Sequence, residues 1–224
     1  MEFYAAYWDM EKGMKFSEEL FKKIVFEVTG GYKTEYEGHK INWKNDFRLI
    51  DYFTEFKKET EIDLNEDVSV ADLRKKAEEL GIKHEKKYGK GRLIDTIYKK
   101  TVRQKLIQPC ILFGQPIEVS PFAKRHPQNP KKTLRFQIIA GGSELYNAFA
   151  ELNDPIDQKS RFLEQMKLRA AGDREALMID EDFIEALEYG MPPAFGVGMS
   201  ERFFAFLMNK SVRETVIFPP MREK

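Results

Sequence analysis

The sequence predicts an α+β fold in which helices flank an antiparallel β-sheet. Short aromatic and β-branched runs, typical of strands, occur near both ends of the chain, and tight turns join some of them. Runs with helical spacing of apolar residues separate these strands. Strands joined by hairpins, with helices collected between them, favour an antiparallel sheet. With 224 residues and 42% hydrophobic content, the chain is long enough for one core, and we predict one domain over 1–224.

The first quarter of the chain predicts a strand, a helix, a hairpin and a second helix. Residues 2–8 are rich in aromatic side chains and predict a strand with Glu2, Tyr4 and Ala6 on one face, so that an acid and a phenol lie side by side. The elements that follow are a helix at about 15–28 ended by Gly30 and Gly31, a hairpin at 32–36 and 40–43, and a helix at about 48–60.

The next segment predicts a small helical insertion at about 61–108. Ser69 and Asp72 form a capping-box pattern that begins a helix ending near Leu80, and a further helix is predicted at about 91–106. From 83 to 135, 14 basic residues stand against 3 acidic ones, a net charge of +11. Such a run indicates either a polyanionic partner or solvated helix faces, and the sequence leaves both open.

Strands return after the insertion, at 109–114, 134–140 and 144–152. A Gly-Gly-Ser turn at 141–143 predicts that the last two pair in antiparallel fashion. Beyond them, Asp154-Pro155 is a strong helix start because Asp caps a helix and Pro tolerates its first position. That helix is predicted to reach about residue 171, and another is predicted from 180 to 190.

The strand at 144–152 carries two acids among apolar residues. Strand alternation places Glu144 on the face of Tyr146, Ala148 and Ala150, and it places Glu151 on the face of Leu145, Asn147 and Phe149. A carboxylate within a sheet core must be paired, hydrogen-bonded or bound to a cation, because desolvating it alone costs several kcal/mol. A strand end near solvent would make the same acids harmless, so the pattern alone indicates a site without establishing it.

Composition argues against several classes of function. The formal net charge is zero, and no apolar run approaches the 18 or more residues of a membrane helix. The lone Cys110 cannot form an intramolecular disulfide, which favours a reducing compartment, and we predict a cytoplasmic protein. His39, His84 and His126 lie far apart without metal-ligand spacing, so a zinc site is not expected.

Two further segments could contact phosphate. Residues 196–202, Gly-Val-Gly-Met-Ser-Glu-Arg, predict a glycine-rich turn before an apolar helix at 203–208, where Arg202 could reach a phosphate. The same sequence also fits a purely structural role, in which the glycines permit tight packing and Arg202 caps a neighbouring element. The segment 118–126 has a Lys-Arg-His cluster and suits an exposed positive loop or an ordinary surface turn. Without a nucleophile triad, such a set suits a site that binds a cation-bridged triphosphate and acts through orientation and electrostatics.

Three motifs closely resemble class II lysyl-tRNA synthetases: Asn-Ala-Phe-Ala-Glu-Leu-Asn-Asp-Pro-Ile-Asp-Gln at 147–158, Glu-Val-Ser-Pro-Phe-Ala-Lys-Arg-His at 118–126 and Glu-Tyr-Gly-Met-Pro-Pro at 188–193. The resemblance runs from Glu2 to Arg222. It implies the last part of that family's catalytic domain, from the end of motif 2 to motif 3, on a class II antiparallel sheet that is incomplete at the N-terminus. It also implies activation of lysine with ATP and Mg²⁺, followed by transfer to tRNA(Lys).

The resemblance assigns roles to individual residues. The implied lysine-binding residues are Glu2, Tyr4, Asn147, Phe149 and Glu151. The implied ATP-binding residues are Gly196, Gly198, Arg202 and Glu144, with Arg202 also catalytic through the terminal phosphate. Glu144 is the implied Mg²⁺ ligand, and Gln137 stands where the family has a second acidic ligand, so its neutral amide lowers the charge of that metal site.

The same resemblance defines what we expect to lie outside the chain. The anticodon-binding barrel, motif 1 and the first half of motif 2, with its arginine, would precede Met1. The expected partners are therefore lysine, ATP and tRNA(Lys), together with a second copy of the protein or a separate N-terminal segment. A truncated, non-catalytic paralogue that binds an amino acid or RNA is the main alternative, and a ligase that lysylates a protein is a further one.

Overall fold

The computed structural model describes residues 1–174 and 176–219. The last part of the family resemblance, residues 220–222, lies outside the described residues. Within the described part, ten strands form: β1 (Glu2–Ala6), β2 (Lys33–Tyr36), β3 (His39–Asn42), β4 (Arg48–Asp51), β5 (Cys110–Phe113), β6 (Arg125–His126), β7 (Asn129–Thr133), β8 (Arg135–Ala140), β9 (Ser143–Ala150) and β10 (Ala194–Met199).

Eight α-helices accompany these strands in the described ranges. They are α1 (Met10–Thr29), α2 (Tyr52–Thr60), α3 (Val70–Glu79), α4 (Lys90–Thr101), α5 (Pro155–Ala170), α6 (Glu181–Glu188), α7 (Arg202–Leu207) and α8 (Val212–Thr215). Short 3₁₀ turns follow α4 and β5, at Arg103–Lys105 and Ile117–Val119. No described helix has the length and apolar character that crossing a membrane requires.

The main sheet has six strands in the order β1-β10-β9-β8-β5-β4. Its neighbouring strands are antiparallel except for β4 and β5, which run parallel. Strand β10 lies between β1 and β9, so a late part of the chain joins the first strand to the rest of the sheet. The α+β fold with a mostly antiparallel sheet flanked by helices is therefore confirmed.

A separate hydrophobic cluster packs against each face of the sheet. On one face, α1, α7 and the β2–β3 hairpin pack around Phe21, Trp43 and Tyr146. On the other, α2, α3 and α4 pack Phe56 and Ile97 against sheet residues that include Leu112 and Ile139. The helices of the predicted insertion at about 61–108 share this second cluster with the sheet. The boundaries of the insertion stay a prediction.

Most predicted elements form close to their predicted positions. The first helix begins earlier than predicted, at Met10, because the Asp9 carboxylate accepts a 2.8 Å hydrogen bond from the Lys12 amide. The hairpin at residues 33–42 turns through Glu37 and Gly38, both with positive φ. The Ser69–Asp72 capping box and the Asp154-Pro155 helix start are both present.

The predicted helix at 48–60 is wrong in its first turn. Arg48–Asp51 is the strand β4, which pairs with β5, and the helix begins only at Tyr52. The Asp51 side chain caps that helix by accepting from the Thr54 amide at 2.9 Å. The predicted helix at 91–106 likewise ends at Thr101 and continues as a 3₁₀ turn.

Ion pairs account for part of the basic segment at 83–135. Lys90 pairs with Glu118 at 3.0 Å, and Lys99 pairs with Asp95 at 2.6 Å. Lys105 pairs with Glu59, an acid that precedes the segment. A polyanionic partner for this surface stays a prediction, and these contacts favour the alternative of solvated, ion-paired helix faces.

A β-bulge corrects the predicted faces of the acidic strand. The register between β8 and β9 shifts so that Tyr146 lies opposite Ile138 and Glu144 lies opposite Ile139. The extra residue, Leu145, is fully buried in the same cluster as Tyr146. Glu144 therefore shares a face with Asn147 rather than with Tyr146, because one added residue inverts the alternation.

Candidate functional site

The sheet register brings most of the predicted site residues onto one face. Residues directly opposite one another on neighbouring strands lie on the same side of a sheet. One row of opposite residues contains Glu2, Gly198, Asn147 and Gln137, and the next contains Tyr4, Gly196, Phe149 and Arg135. Gly196 and Gly198 lie within β10, so the predicted glycine-rich turn is wrong, and they form a floor without side chains between β1 and β9.

A group of acidic side chains, called the acidic pocket here, lies beside the paired strands β1 and β10, with Glu2 and Tyr4 exposed to solvent. The Tyr4 hydroxyl donates a 2.7 Å hydrogen bond to Glu2 Oε1, and this bond raises the pKa of Tyr4 to about 12. Glu151, just beyond β9, is half-buried, and burial together with the charge of Glu2 raises its pKa to about 7. The two carboxylates are therefore close enough to repel each other, and a cation placed between them would stabilise the ionised form of both.

Gly196 leaves the space that the Glu151 side chain occupies. A Cβ atom at this position would overlap Glu151 Oε1 and would lie 2.9 Å from the Tyr4 ring. The backbone of Gly196 is fully strand-like, so the reason for glycine is the close approach of these two side chains rather than an unusual φ. Any larger residue would displace the acid from the pocket.

Arg135 is a site residue that sequence reasoning missed. Its Nε donates to Asn147 Oδ1 at 2.7 Å, while its Nη1 donates to the Val119 carbonyl at 2.7 Å and to Ser120 Oγ at 3.1 Å. Burial lowers its pKa, and the carboxylate of Glu144 acts in the opposite direction. The signal available in the sequence was its position two residues before Gln137, which places both on one strand face.

A cleft of about 300 Å³ lies between Arg135 on β8 and α4. Its walls include Tyr52, Asp95, Tyr98, Arg135, Gln137 and Glu144. The hydroxyl groups of Tyr52 and Tyr98 are buried and have no hydrogen-bond partner among the described residues. The cleft is therefore a polar cavity with open hydrogen-bonding capacity, as a site for a charged ligand requires.

The predicted loop at 118–126 flanks the end of β9. Ala123 of this loop forms a β-bridge with Glu151. Hydrogen bonds flank the bridge on both sides: the Lys124 amide donates to the Ala150 carbonyl, and the Leu152 amide donates to the Phe122 carbonyl. The Lys124 ammonium donates to Asn153 Oδ1 at 3.1 Å. This loop is thus an additional strand-like segment beside the acidic pocket rather than a free surface turn.

Arg202 follows the end of β10, close in sequence to Ser200, whose backbone N–H donates to the Leu145 carbonyl beside Glu144. It is exposed at the first position of α7, and its backbone N–H donates to Ser200 Oγ at 3.2 Å. Within residues 1–174 and 176–219 no ion pair or hydrogen bond joins its guanidinium to the cleft. Its predicted contact with phosphate therefore stays a prediction.

The model of the family described as tRNA synthetases class II (D, K and N) matches residues 1–222. The chain belongs to this family. The class II synthetase assignment explains why a mostly antiparallel sheet carries polar residues on one face and why β1 and β10 meet beside β9.

Similar class II synthetase chains carry the name lysine–tRNA ligase. The protein from Leuconostoc citreum is 42% identical over 224 residues, which is 99% of this chain and 45% of the relative. The proteins from Porphyromonas gingivalis and Bacillus subtilis are 40% and 39% identical, with 99% and 100% of this chain covered and 39% and 45% of the relatives. The chain thus spans less than half the length of these relatives.

The donors in the cleft fit a Mg²⁺ ion of the kind that binds with a nucleotide. Glu144 offers a carboxylate, and the buried Gln137 offers an amide oxygen. No group of three or more acidic, His or Cys side chains forms a metal cluster in the described part of the chain. Mg²⁺ needs no such cluster, because it keeps several waters and takes one or two protein carboxylates together with substrate phosphates.

Proposed function

We propose that the chain is the C-terminal catalytic segment of a lysine–tRNA ligase. Such an enzyme activates lysine with ATP to form lysyl-adenylate and then transfers lysine to tRNA(Lys). The observation that carries the proposal is the acidic pocket, where Glu2, Tyr4 and Glu151 converge on one volume over the Gly196 backbone. The names of the relatives support the same substrate.

The pocket suits the ε-ammonium group of lysine. An ammonium has three donors and no acceptor, which matches two carboxylates and excludes a neutral side chain of similar shape. Because burial and the neighbouring acid raise the pKa of Glu151 to about 7, the ligand-free pocket holds a proton below that pH, and a bound cation would displace it. Asn147 and Phe149 lie on the same face, in the direction of the cleft, where the α-amino and carboxylate ends of a bound lysine would extend.

The cleft suits the nucleotide. Glu144 and Gln137 would hold the Mg²⁺, which supplies charge neutralisation for the phosphates when bound. The Gly198 backbone would allow close approach of the nucleotide. We assign Arg202 to the terminal phosphate, which its long side chain would reach from the start of α7.

The reaction then follows without a protein nucleophile. A carboxylate oxygen of lysine attacks the α-phosphate of ATP, the bond to the β-phosphate oxygen breaks, and pyrophosphate leaves. In the second step a hydroxyl of the terminal tRNA ribose attacks the lysyl carbonyl and AMP leaves. The residues of this chain orient the reactants and balance charge, which are the main sources of catalysis in such a site. We place this activity in the cytoplasm. Because the chain spans less than half the length of its relatives, we expect an N-terminal segment to supply the rest of the catalytic domain.

Two measurements on the purified chain test the proposal. Isothermal titration with lysine should show binding that Glu151→Gln abolishes, since the variant keeps the shape of the side chain and loses its charge. Lysine-dependent exchange between pyrophosphate and ATP tests activation itself. Robust exchange would exclude the alternative of a non-catalytic module, whereas lysine binding without exchange is expected both of such a module and of an incomplete catalytic segment. Absence of lysine binding by a folded chain would refute the proposed substrate.

A further inference from the structure

Among the described residues, Arg161 on α5 is the most buried arginine to which the proposed reaction gives no role. It is only 6% exposed, although arginine is seldom buried without a reason. Its Nε and Nη2 donate to the two oxygens of Asp157 at 3.1 and 2.8 Å, one helical turn earlier. This bidentate pair fixes the plane of the guanidinium.

The third nitrogen of the same guanidinium reaches the loop beside the acidic pocket. Arg161 Nη1 donates to the Ala123 carbonyl at 2.6 Å and to the Ser120 carbonyl at 3.1 Å. Ala123 is the residue that bridges to Glu151. A short chain of direct contacts therefore runs from α5 through the loop to the acid of the pocket.

Further contacts hold the two ends of this chain. At the outer end, Arg125 donates from Nε and Nη2 to both oxygens of Asp157, each at 3.0 Å. At the inner end, Arg135 holds Val119 and Ser120 from the sheet. The loop at 119–123 thus accepts hydrogen bonds from two arginines, Arg135 and Arg161. Arg135 also donates to Asn147. Arg161 donates to Ala123, the residue that bridges to Glu151.

We propose that Arg161 is a positioning residue for the acidic pocket: it fixes the Ser120 and Ala123 carbonyls, and through the bridge to residue 151 it sets the direction of the Glu151 carboxylate. The proposal rests on the proposed function for its consequence in lysine binding. The positioning itself concerns the ligand-free chain and can be measured there.

The competing explanation is that Arg161 only anchors α5 to the rest of the protein. Both explanations expect lower stability when Arg161 is changed, so stability alone does not separate them. If Arg161 positions the pocket, the folded variant should also lose the backbone pairing between Ala123 and Glu151. The Glu151 carboxylate should then move away from Glu2 into solvent. A general anchor expects the folded variant to keep an unchanged pocket.

The test compares Arg161→Lys and Asp157→Asn with the control Lys159→Gln. Lys159 lies on the same helix and pairs at the surface with Glu181, on α6. Carboxyl ¹³C resonances of the ligand-free chain report the titration of Glu151, and hydrogen exchange reports the Lys124 and Leu152 amides that pair with the strand end. We expect Arg161→Lys to move the pKa of Glu151 from about 7 towards its ordinary value of 4.5 and to speed exchange at both amides. The control should change neither.

Lysine titration completes the design. Arg161→Lys should raise the Kd for lysine on the order of tenfold, as expected for a residue that orients a ligand contact. A wild-type chain that binds no lysine would refute the proposed function, while the Glu151 titration would still decide the role of Arg161. If Arg161→Lys does not fold, Asp157→Asn, which loosens the same guanidinium from its outer end, carries the comparison. A folded variant with unchanged Glu151 titration and amide exchange would overturn the proposal.

Discussion

The ionised Glu151 carboxylate of the acidic pocket should lower the free energy of unfolding at neutral and alkaline pH. Glu151 has a pKa of about 7 in the folded chain against an ordinary value of 4.5, because burial and the charge of Glu2 disfavour its ionised form. Below pH 4.5 the carboxyl is protonated in both states and affects neither. Between pH 4.5 and 7 the unfolded chain ionises first, so the free energy of unfolding falls as pH rises, and above pH 7 the loss is complete.

The magnitude follows from the same two values. The difference between about 7 and 4.5 corresponds to at most about 3.4 kcal/mol. Glu151 is only partly buried and solvent screens its charge, so we expect about 1–2 kcal/mol at pH 8. Glu151→Gln removes the ionisation, and the variant should therefore be more stable than the wild type by this amount at pH 8 and nearly equal to it at pH 4.

Urea unfolding of both proteins across pH 4 to 8 measures the effect. The difference between the two free energies isolates position 151, because all other titrating groups are common to both proteins. A variant that is less stable than the wild type at pH 8, or a difference that does not change with pH, would contradict the assigned environment of Glu151. Ligand should reverse the order, since lysine stabilises only the protein that binds it.

Three further substitutions probe separate parts of the structure. Gly196→Ala should weaken lysine binding on the order of tenfold in calorimetry, because the added methyl group displaces the movable end of Glu151. The loss in stability should stay below about 3 kcal/mol. Equal affinity of variant and wild type would show that the pocket has spare room. Gln137→Glu should tighten Mg²⁺ binding in the presence of ATP, as a second carboxylate joins Glu144, and calorimetric titration that shows no gain would place the ion elsewhere. Ser69→Ala should cost about 1 kcal/mol in thermal or urea unfolding through loss of the α3 cap, without effect on lysine binding.

The parts of the site that follow strand alternation could be predicted from sequence. Glu2 and Tyr4 lie side by side on β1 because residues two apart share a face, and their hydrogen bond confirms the prediction. The relation of Glu144 to Asn147 could not be predicted, because the bulge at Leu145 depends on pairing with β8. A single added residue in a strand leaves no mark in the sequence pattern.

The strand β4 shows a second limit. Leu49, Ile50, Tyr52, Phe53 and Phe56 have the spacing of a helix, and part of the segment is one. The four residues of β4 become a strand because they pair in parallel with β5, almost sixty positions later in the chain. Tertiary pairing overrides local periodicity there, and Arg135 was missed for a related reason, since its partners Asn147 and Val119 lie on other segments.

The position of β10 determines when the pocket can exist. Among the described residues, β1 lies far before β10 in the chain, and β10 is the strand with which it pairs in the main sheet. Glu2 and Tyr4 therefore lack the floor of Gly196 and Gly198 until β10 enters between β1 and β9. Contacts of such long range are the slowest to form. We therefore expect the acidic pocket to form only after β10 has joined the sheet, and a chain that ends before β10 would carry Glu2 and Tyr4 without the glycine floor.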